Sequence, residues 1–321
     1  MAADEEAQQR ATDRVTNLPG QPPGSFQHYS GYIQLQTQNE KAMFYWFFEA
    51  QTEPALKPLV IWLNGGPGCS SVAFGAAQEI GPFLMGNAVI NDQTDTLGIV
   101  DYAWSHGIIS DKLYQSLKAD CEDFKLPHTS SRCNDQLKAF FDAFSGIDIF
   151  NIYSPVCVLN FSATTNSSNL EDIQSTFDPC VNNYVRKYFN QKEVQRALHA
   201  NVTNLPYPYT LCSSQLTKWT DSPSTVLPTI SKLLDAGMRI WTYSGDADAR
   251  VPVTSTRYSV NKLGLPVMEE WRPWFYKRQV AGWVETYDKG LTLTTIRGGG
   301  HQAVLSARDW SLSLFTSFLQ H

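Results

Sequence analysis

The stretch Leu59 to Ser71, Leu-Val-Ile-Trp-Leu-Asn-Gly-Gly-Pro-Gly-Cys-Ser-Ser, constrains the fold of this chain more than any other. Leu59 to Leu63 is a short continuous apolar run between Lys57-Pro58 and a glycine cluster, which predicts a buried parallel strand. Asn64 to Gly68 contains three glycines, so the spacing predicts a loop with bare backbone N–H groups. Ser70 to Ile80 then predicts a helix, with Ser70 or Ser71 as its N-cap. Strand, glycine loop and helix N-terminus in succession present N–H donors to a developing negative charge.

Around this unit the chain divides by pattern. Its 321 residues, 42% of them hydrophobic, can bury a substantial core in one or two domains. Residues 1–25 are charged, then rich in proline and glycine, and predict a flexible arm. Residues 26–100 hold a hairpin about Thr37-Gln38-Asn39-Glu40, the strand–loop–helix unit, and an apolar strand end within Phe83 to Asn91. Across 101–221 the apolar spacing turns helical, as in Leu113-Leu117 and Val181-Tyr184-Val185-Tyr188. Five of the six cysteines fall between Cys121 and Cys212, so an inserted, disulfide-stapled helical cap is expected here. Within it Asn160 to Asn169 is rich in Ser, Thr and Asn and predicts an exposed loop. In residues 222–321 helices over Thr225–Ala236, Thr254–Leu263 and Ala307–Leu319 alternate with strands over Met238–Tyr243 and Leu291–Ile296. Val267 to Tyr287 reads as an antiparallel excursion. The whole predicts an α/β fold with a mostly parallel sheet.

A net charge of −6 and a pI near 5.5 argue against nucleic acid as a partner. No apolar run approaches the length of a membrane span, so no membrane partner is expected either. The N-terminus, Met1-Ala-Ala-Asp-Glu-Glu-Ala, lacks the apolar core of a signal peptide. Even so, six cysteines (Cys69, Cys121, Cys133, Cys157, Cys180, Cys212) without a Cys-x-x-Cys pair, and sequons at Asn160, Asn166 and Asn201, point to an oxidising compartment. The expectation is a secreted or vacuolar glycoprotein whose signal peptide has been removed or lost. Six cysteines allow 15 pairings, among which the residues alone do not choose. The six histidines (His28, His106, His128, His199, His301, His321) show no metal-ligand spacing, and no nucleotide motif is present, so no cofactor is expected.

Trp62-Leu63-Asn64-Gly65-Gly66-Pro67-Gly68-Cys69-Ser70-Ser71 resembles the signature of the serine carboxypeptidases, a branch of the α/β-hydrolases. The resemblance resumes at Gly86-Asn87-Ala88-Val89-Ile90-Asn91-Asp92 and runs to the C-terminus. Between Glu79-Ile80-Gly81-Pro82 and Gly86 the family carries a large block that includes the nucleophile motif Gly-Glu-Ser-Tyr-Ala-Gly. Here only Phe83-Leu84-Met85 stands in its place. The resemblance implies an internally shortened α/β-hydrolase fold from which central strands are missing, with pairs Cys69–Cys212, Cys121–Cys133 and Cys157–Cys180.

It also implies a site. In α/β-hydrolases the triad runs Ser, Asp, His along the chain, with acid and base on loops after late strands. Asp248, in Ser244-Gly245-Asp246-Ala247-Asp248-Ala249-Arg250-Val251-Pro252, and His301, after Gly298-Gly299-Gly300, match the last two members. Asp246 is left as structural. Alone, Asp248 would read as a helix cap and His301 as a loop histidine; the family motif around each favours the catalytic pair. The N–H of Gly66 corresponds to half an oxyanion hole, and Asn64 and Gly65 to the clamp on a substrate's terminal carboxylate. No Gly-x-Ser-x-Gly elbow exists: in Gly68-Cys69-Ser70, Val72 stands where the second glycine is needed, and Ser70 fits a helix cap.

The resemblance therefore implies a serine-type carboxypeptidase, which removes C-terminal residues through an acyl-enzyme, in a form lacking its nucleophile and its activity. A non-catalytic or regulatory form that grips peptide C-termini, an acyltransferase and a hydroxynitrile lyase remain as alternatives within the family. A homodimer is left open. Loss of a central strand would also strip its neighbours of hydrogen-bond partners.

Overall fold

The structure is a computed structural model that describes residues 2–22, 24, 26–35, 41–66, 68–76, 85–124, 130–157, 178–216 and 222–320. Two compact units divide it, one of residues 1–80 with 181–219 and one of 81–180 with 220–321. These boundaries differ from the expected ones. Residues 101–180 belong with the C-terminal part of the chain, and 181–219 with the N-terminal part.

In the first unit, helix α1 (Ala2–Asp13) occupies the first half of the expected loose arm. Its Ala, Glu and Gln residues are strong helix formers. Arg10 ties it down by an ion pair to Glu49 and hydrogen bonds to the Tyr29 hydroxyl, and Asp13 accepts the hydroxyl of Tyr45. Strands β1 (His28–Gln34) and β2 (Ala42–Phe48) pair antiparallel as the expected hairpin; its turn, 37–40, lies outside the described residues.

Leu59 to Leu63 is not a strand. The run is irregular, makes no ladder, and leaves Leu59, Ile61 and Leu63 exposed at 75%, 58% and 66%. An apolar run becomes a strand only if neighbours take up its N–H and C=O groups, and no strand among the described residues does so. The expected helix from Ser70 shrinks to a π-type turn over Val72–Ala76; 77–80 lie outside the described residues. The Ser70 hydroxyl oxygen still caps it by accepting the N–H of Ala73. Helices α5 (Val181–Phe189) and α6 (Lys192–Ala197, numbered in chain order after the second unit's first three) complete this unit. Val185, Phe189, Val194 and Leu198 pack with Val15 and Ala73 as its core.

The second unit begins with β3 (Met85–Gly86). Helices α2 (Asp92–Ser105), α3 (Asp111–Asp120) and α4 (Ser131–Asp142) follow, each capped by a side-chain oxygen, from Asn91, Ser110 and Ser130. Then come α7 (Leu227–Asp235), β4 (Ile240–Gly245), α8 (Val253–Asn261), β5 (Val267–Tyr276), β6 (Gln279–Tyr287), β7 (Leu291–Ile296), α9 (Ala303–Ser306) and α10 (Arg308–Gln320). The sheet order is β3-β4-β7-β6-β5. β3, β4 and β7 run parallel, and β5 and β6 form the antiparallel excursion. Every residue of β7 is buried, as a continuous apolar and β-branched run between two covered faces requires. Ile230, Leu234, Val260, Leu291 and Leu293 pack in one core cluster, and Val100, Tyr102, Leu117 and Phe140 in another.

Candidate active site

Parallel strands carry their loops to one end of a sheet, and the loops after β4 and β7 bring Asp248 and His301 together. His301 Nδ1 lies 2.8 Å from Asp248 Oδ2. Asp248 is fully buried, while the His301 side chain keeps about a third of its surface open. Its other ring nitrogen has no partner among the described residues. An imidazole pinned through Nδ1 to a carboxylate and open at Nε2 is the arrangement of a general base.

A buried carboxylate needs donors on every lone pair, and the chain supplies them from three places. The N–H groups of Arg250 and Val251 reach Oδ1 at 2.7 and 3.2 Å, from the turn entering α8. Oδ2 takes His301 and, at 2.7 Å, the amide Nδ2 of Asn87. The segment Ile149–Ile152 fastens both loops. Ala249 N–H donates to Ile149 O and Ile152 N–H to Ala247 O, each at 3.0 Å, and His301 N–H donates to Phe150 O at 2.6 Å. The Phe150 ring sits 5.4 Å from the imidazole. Burial pushes the neighbouring Asp148 carboxyl up, the N–H of Phe150 opposes this, and the charge of Asp248 adds to it. Asp246 points elsewhere: its Oδ1 accepts the N–H of Gly298 at 2.6 Å, and burial pushes it up as well.

Asn64, Gly65 and Gly66 belong to the first unit. Asn64 Oδ1 accepts the indole N–H of Trp62, and its backbone N–H donates to the Ser71 hydroxyl. Gly66 and Gly68 have φ of 154° and 81°, values that favour glycine. A Cβ on Gly66 would also lie 2.8 Å from Cys69 Sγ. The disulfides are Cys69–Cys212, Cys121–Cys133 and Cys157–Cys180. Of the sequons, Asn160 and Asn166 lie outside the described residues. At Asn201, Nδ2 donates to Gln195 and Oδ1 accepts the N–H of Leu205. Among the described residues no His, Cys, Asp and Glu side chains cluster as a metal site would, and no helix is long and apolar enough to cross a membrane.

Asn87, Asp148 and Phe150 are the contributors that pattern reasoning does not single out. Asn87 stands in the stretch where the family resemblance resumes, but nothing in its spacing marks a buried donor. Phe150 acts through its backbone oxygen, which has no sequence signature.

Parallel strands that end in a loop with a buried Asp and then a loop with its paired His have the α/β-hydrolase arrangement. The chain belongs to the serine carboxypeptidase family: a family model of that description matches residues 19–85 and 83–321. Serine carboxypeptidase-like 35 of Arabidopsis thaliana is 40% identical over 433 residues, covering 96% of this chain and 90% of that protein. Serine carboxypeptidase 24 of the same plant is 34% identical over 434 residues, covering 98% and 93%. Among solved structures, a prohormone-processing carboxypeptidase from Saccharomyces cerevisiae superposes with a TM-score of 0.55 at 18% identity, over 74% of this chain and 54% of that one. The aligned lengths exceed the 321 residues available, and the two stretches of the family match meet at residues 83–85. The chain is thus internally shortened relative to these proteins.

Proposed function

We propose that this chain is a catalytically silent serine carboxypeptidase homologue, in which Asp248 and His301 are the acid and base of a triad without its serine. The observation that carries the proposal is the join at 83–85, where the family match breaks and no Gly-x-Ser-x-Gly motif occurs on either side. Ser70 and Ser71 are poor substitutes. The first accepts the N–H of Ala73 and the second that of Asn64, so both hydroxyls serve the local turn. The remaining function is a grip on peptide C-termini, with Asn64 and Gly65 on the carboxylate. Three disulfides suit an oxidising compartment, which favours a secreted or vacuolar location with glycans at Asn160, Asn166 and Asn201.

A serine-reactive organophosphonate tests the silence, because labelling needs both an activated hydroxyl and an oxyanion hole. No label and no release of a C-terminal residue from a blocked dipeptide are expected at acid or neutral pH, with His301→Ala indistinguishable from the parent chain. Activity that disappears in Ser70→Ala or Ser71→Ala would place the nucleophile in the glycine loop and overturn the proposal.

A further inference from the structure

Asn87 is built into the second unit with unusual completeness. Its residue follows β3, whose two positions pair with Thr242 and Tyr243 of β4. Its backbone N–H continues that register by donating to Tyr243 O at 2.9 Å. The residue has φ 43°, a left-handed conformation that Asn tolerates better than most side chains. This turns the amide under the end of β4. There Oδ1 accepts the N–H of Gly245 at 3.3 Å and Nδ2 donates to Asp248 Oδ2 at 2.7 Å. Only 3% of the residue is exposed.

The position therefore demands an acceptor for a backbone N–H and a donor to a carboxylate, both on one carbon of a short side chain. A carboxamide supplies both; an ionised carboxylate has no donor and a hydroxyl cannot span the two partners. The same Oδ2 receives His301 Nδ1. Without Asn87, the only side chain among the described residues bonded to that oxygen would be His301, and the carboxylate would be free to turn about its remaining bonds to Arg250 and Val251.

We infer that Asn87 is a positioning residue for the acid–base pair, fixing the rotation of the Asp248 carboxylate and through it the plane of His301. It acts through Asp248 and touches no substrate. The inference rests on Asp248 and His301 being the family's acid and base.

The test is the proton between His301 Nδ1 and Asp248, observed as a far-downfield resonance in protein labelled with nitrogen-15 histidine and assigned by its loss in His301→Gln. Asn87→Asp changes one donor atom to an acceptor at nearly constant shape, and Asn87→Gly keeps the left-handed backbone while removing the amide. Either should shift and broaden the resonance. Val260→Ala, a cavity in the distant core cluster of Leu291 and Leu293, should lower the melting temperature and leave the resonance in place. Should Asn87→Asp fail to fold, Asn87→Gly carries the comparison. Absence of the resonance in the unsubstituted chain would overturn the acid–base reading itself. A resonance that is present and unmoved by loss of the amide would overturn the role of Asn87 alone.

Discussion

Asp95 Oδ2 accepts the backbone N–H of Ile90 at 2.9 Å, and also that of Asn91, while Asp95 Oδ1 is buried with no partner among the described residues. Burial pushes the carboxyl up to about 6 from an ordinary 3.8. The N–H groups of Asn91 and Ile90 oppose this, Asp92 adds to it, and Arg250, across on the loop before α8, opposes it. Between about pH 4 and 6 the folded chain thus holds a proton that the unfolded chain has shed, and stability rises as pH falls through about 6. Asp148 and Asp246 move in the same direction. The melting temperature should climb on acidification from pH 7 to 5. Asp95→Asn, which imitates the protonated acid, should flatten part of that slope and stabilise the neutral form by about 2–3 kcal/mol, at roughly 1.4 kcal/mol per pKa unit. A melting temperature that falls on acidification, with no effect of Asp95→Asn, would contradict this.

Helices α2 and α8 cross at Gly98, where an added Cβ would stand 2.3 Å from Ser255 N and 2.4 Å from its Cα. Backbone cannot retreat as a side chain can. Gly98→Ala should therefore destabilise the fold by about 1–3 kcal/mol or more, while Gly146→Ala, which meets nothing within 4 Å, should stay within about 0.5 kcal/mol. Chemical denaturation of the two variants side by side measures the difference.

Cys157 and Cys180 are joined across a 23-residue separation that includes the polar stretch Asn160 to Asn169. A protease that nicks this stretch should leave both fragments in one band until reductant is added. Cys69–Cys212 spans the same nick, so the test is run in a Cys69→Ser, Cys212→Ser background, where fragments that part without reductant would rule out the Cys157–Cys180 pairing.

The exposed run Leu59, Ile61 and Leu63 has the composition of a central strand and the surroundings of a surface. Such a segment invites pairing with other chains. Ile61→Lys with Leu63→Lys should reduce self-association in light scattering and shift stability by no more than about 0.5 kcal/mol. A large loss of stability would mean that the run is buried after all.

This run also shows where sequence patterning stops. Met238–Tyr243 and Leu291–Ile296 carry the same signal and become β4, shifted to Ile240–Gly245, and β7, because β4 pairs with both β3 and β7. Leu59 to Leu63 carries it equally well, but strand formation is a property of a pair, and a periodicity cannot reveal that the neighbour is absent. Helix α1 escapes notice for the opposite reason: its residues are good helix formers with no apolar stripe, and pattern reading depends on the stripe. Helical spacing read from residue 101 onward misses the start of α2 at Asp92, although Asn91 caps its first turn. Asp248 and His301 were legible as candidates because each stands in a long motif beside a strand end, and the structure pairs them. Asn87, Asp148 and the backbone of Phe150 were not, since burial and a single carbonyl oxygen leave no trace in residue order.

The four donors around Asp248 bear on how such a chain changes over generations. A fully buried carboxylate must keep them whether or not a nucleophile ever stands before His301, because each lost partner would strand a charge in the interior. Selection for folding alone is then enough to hold Asp248, Asn87 and the turn at Arg250 in place. The paired Asp248 and His301 are therefore no witness, by themselves, to surviving chemistry.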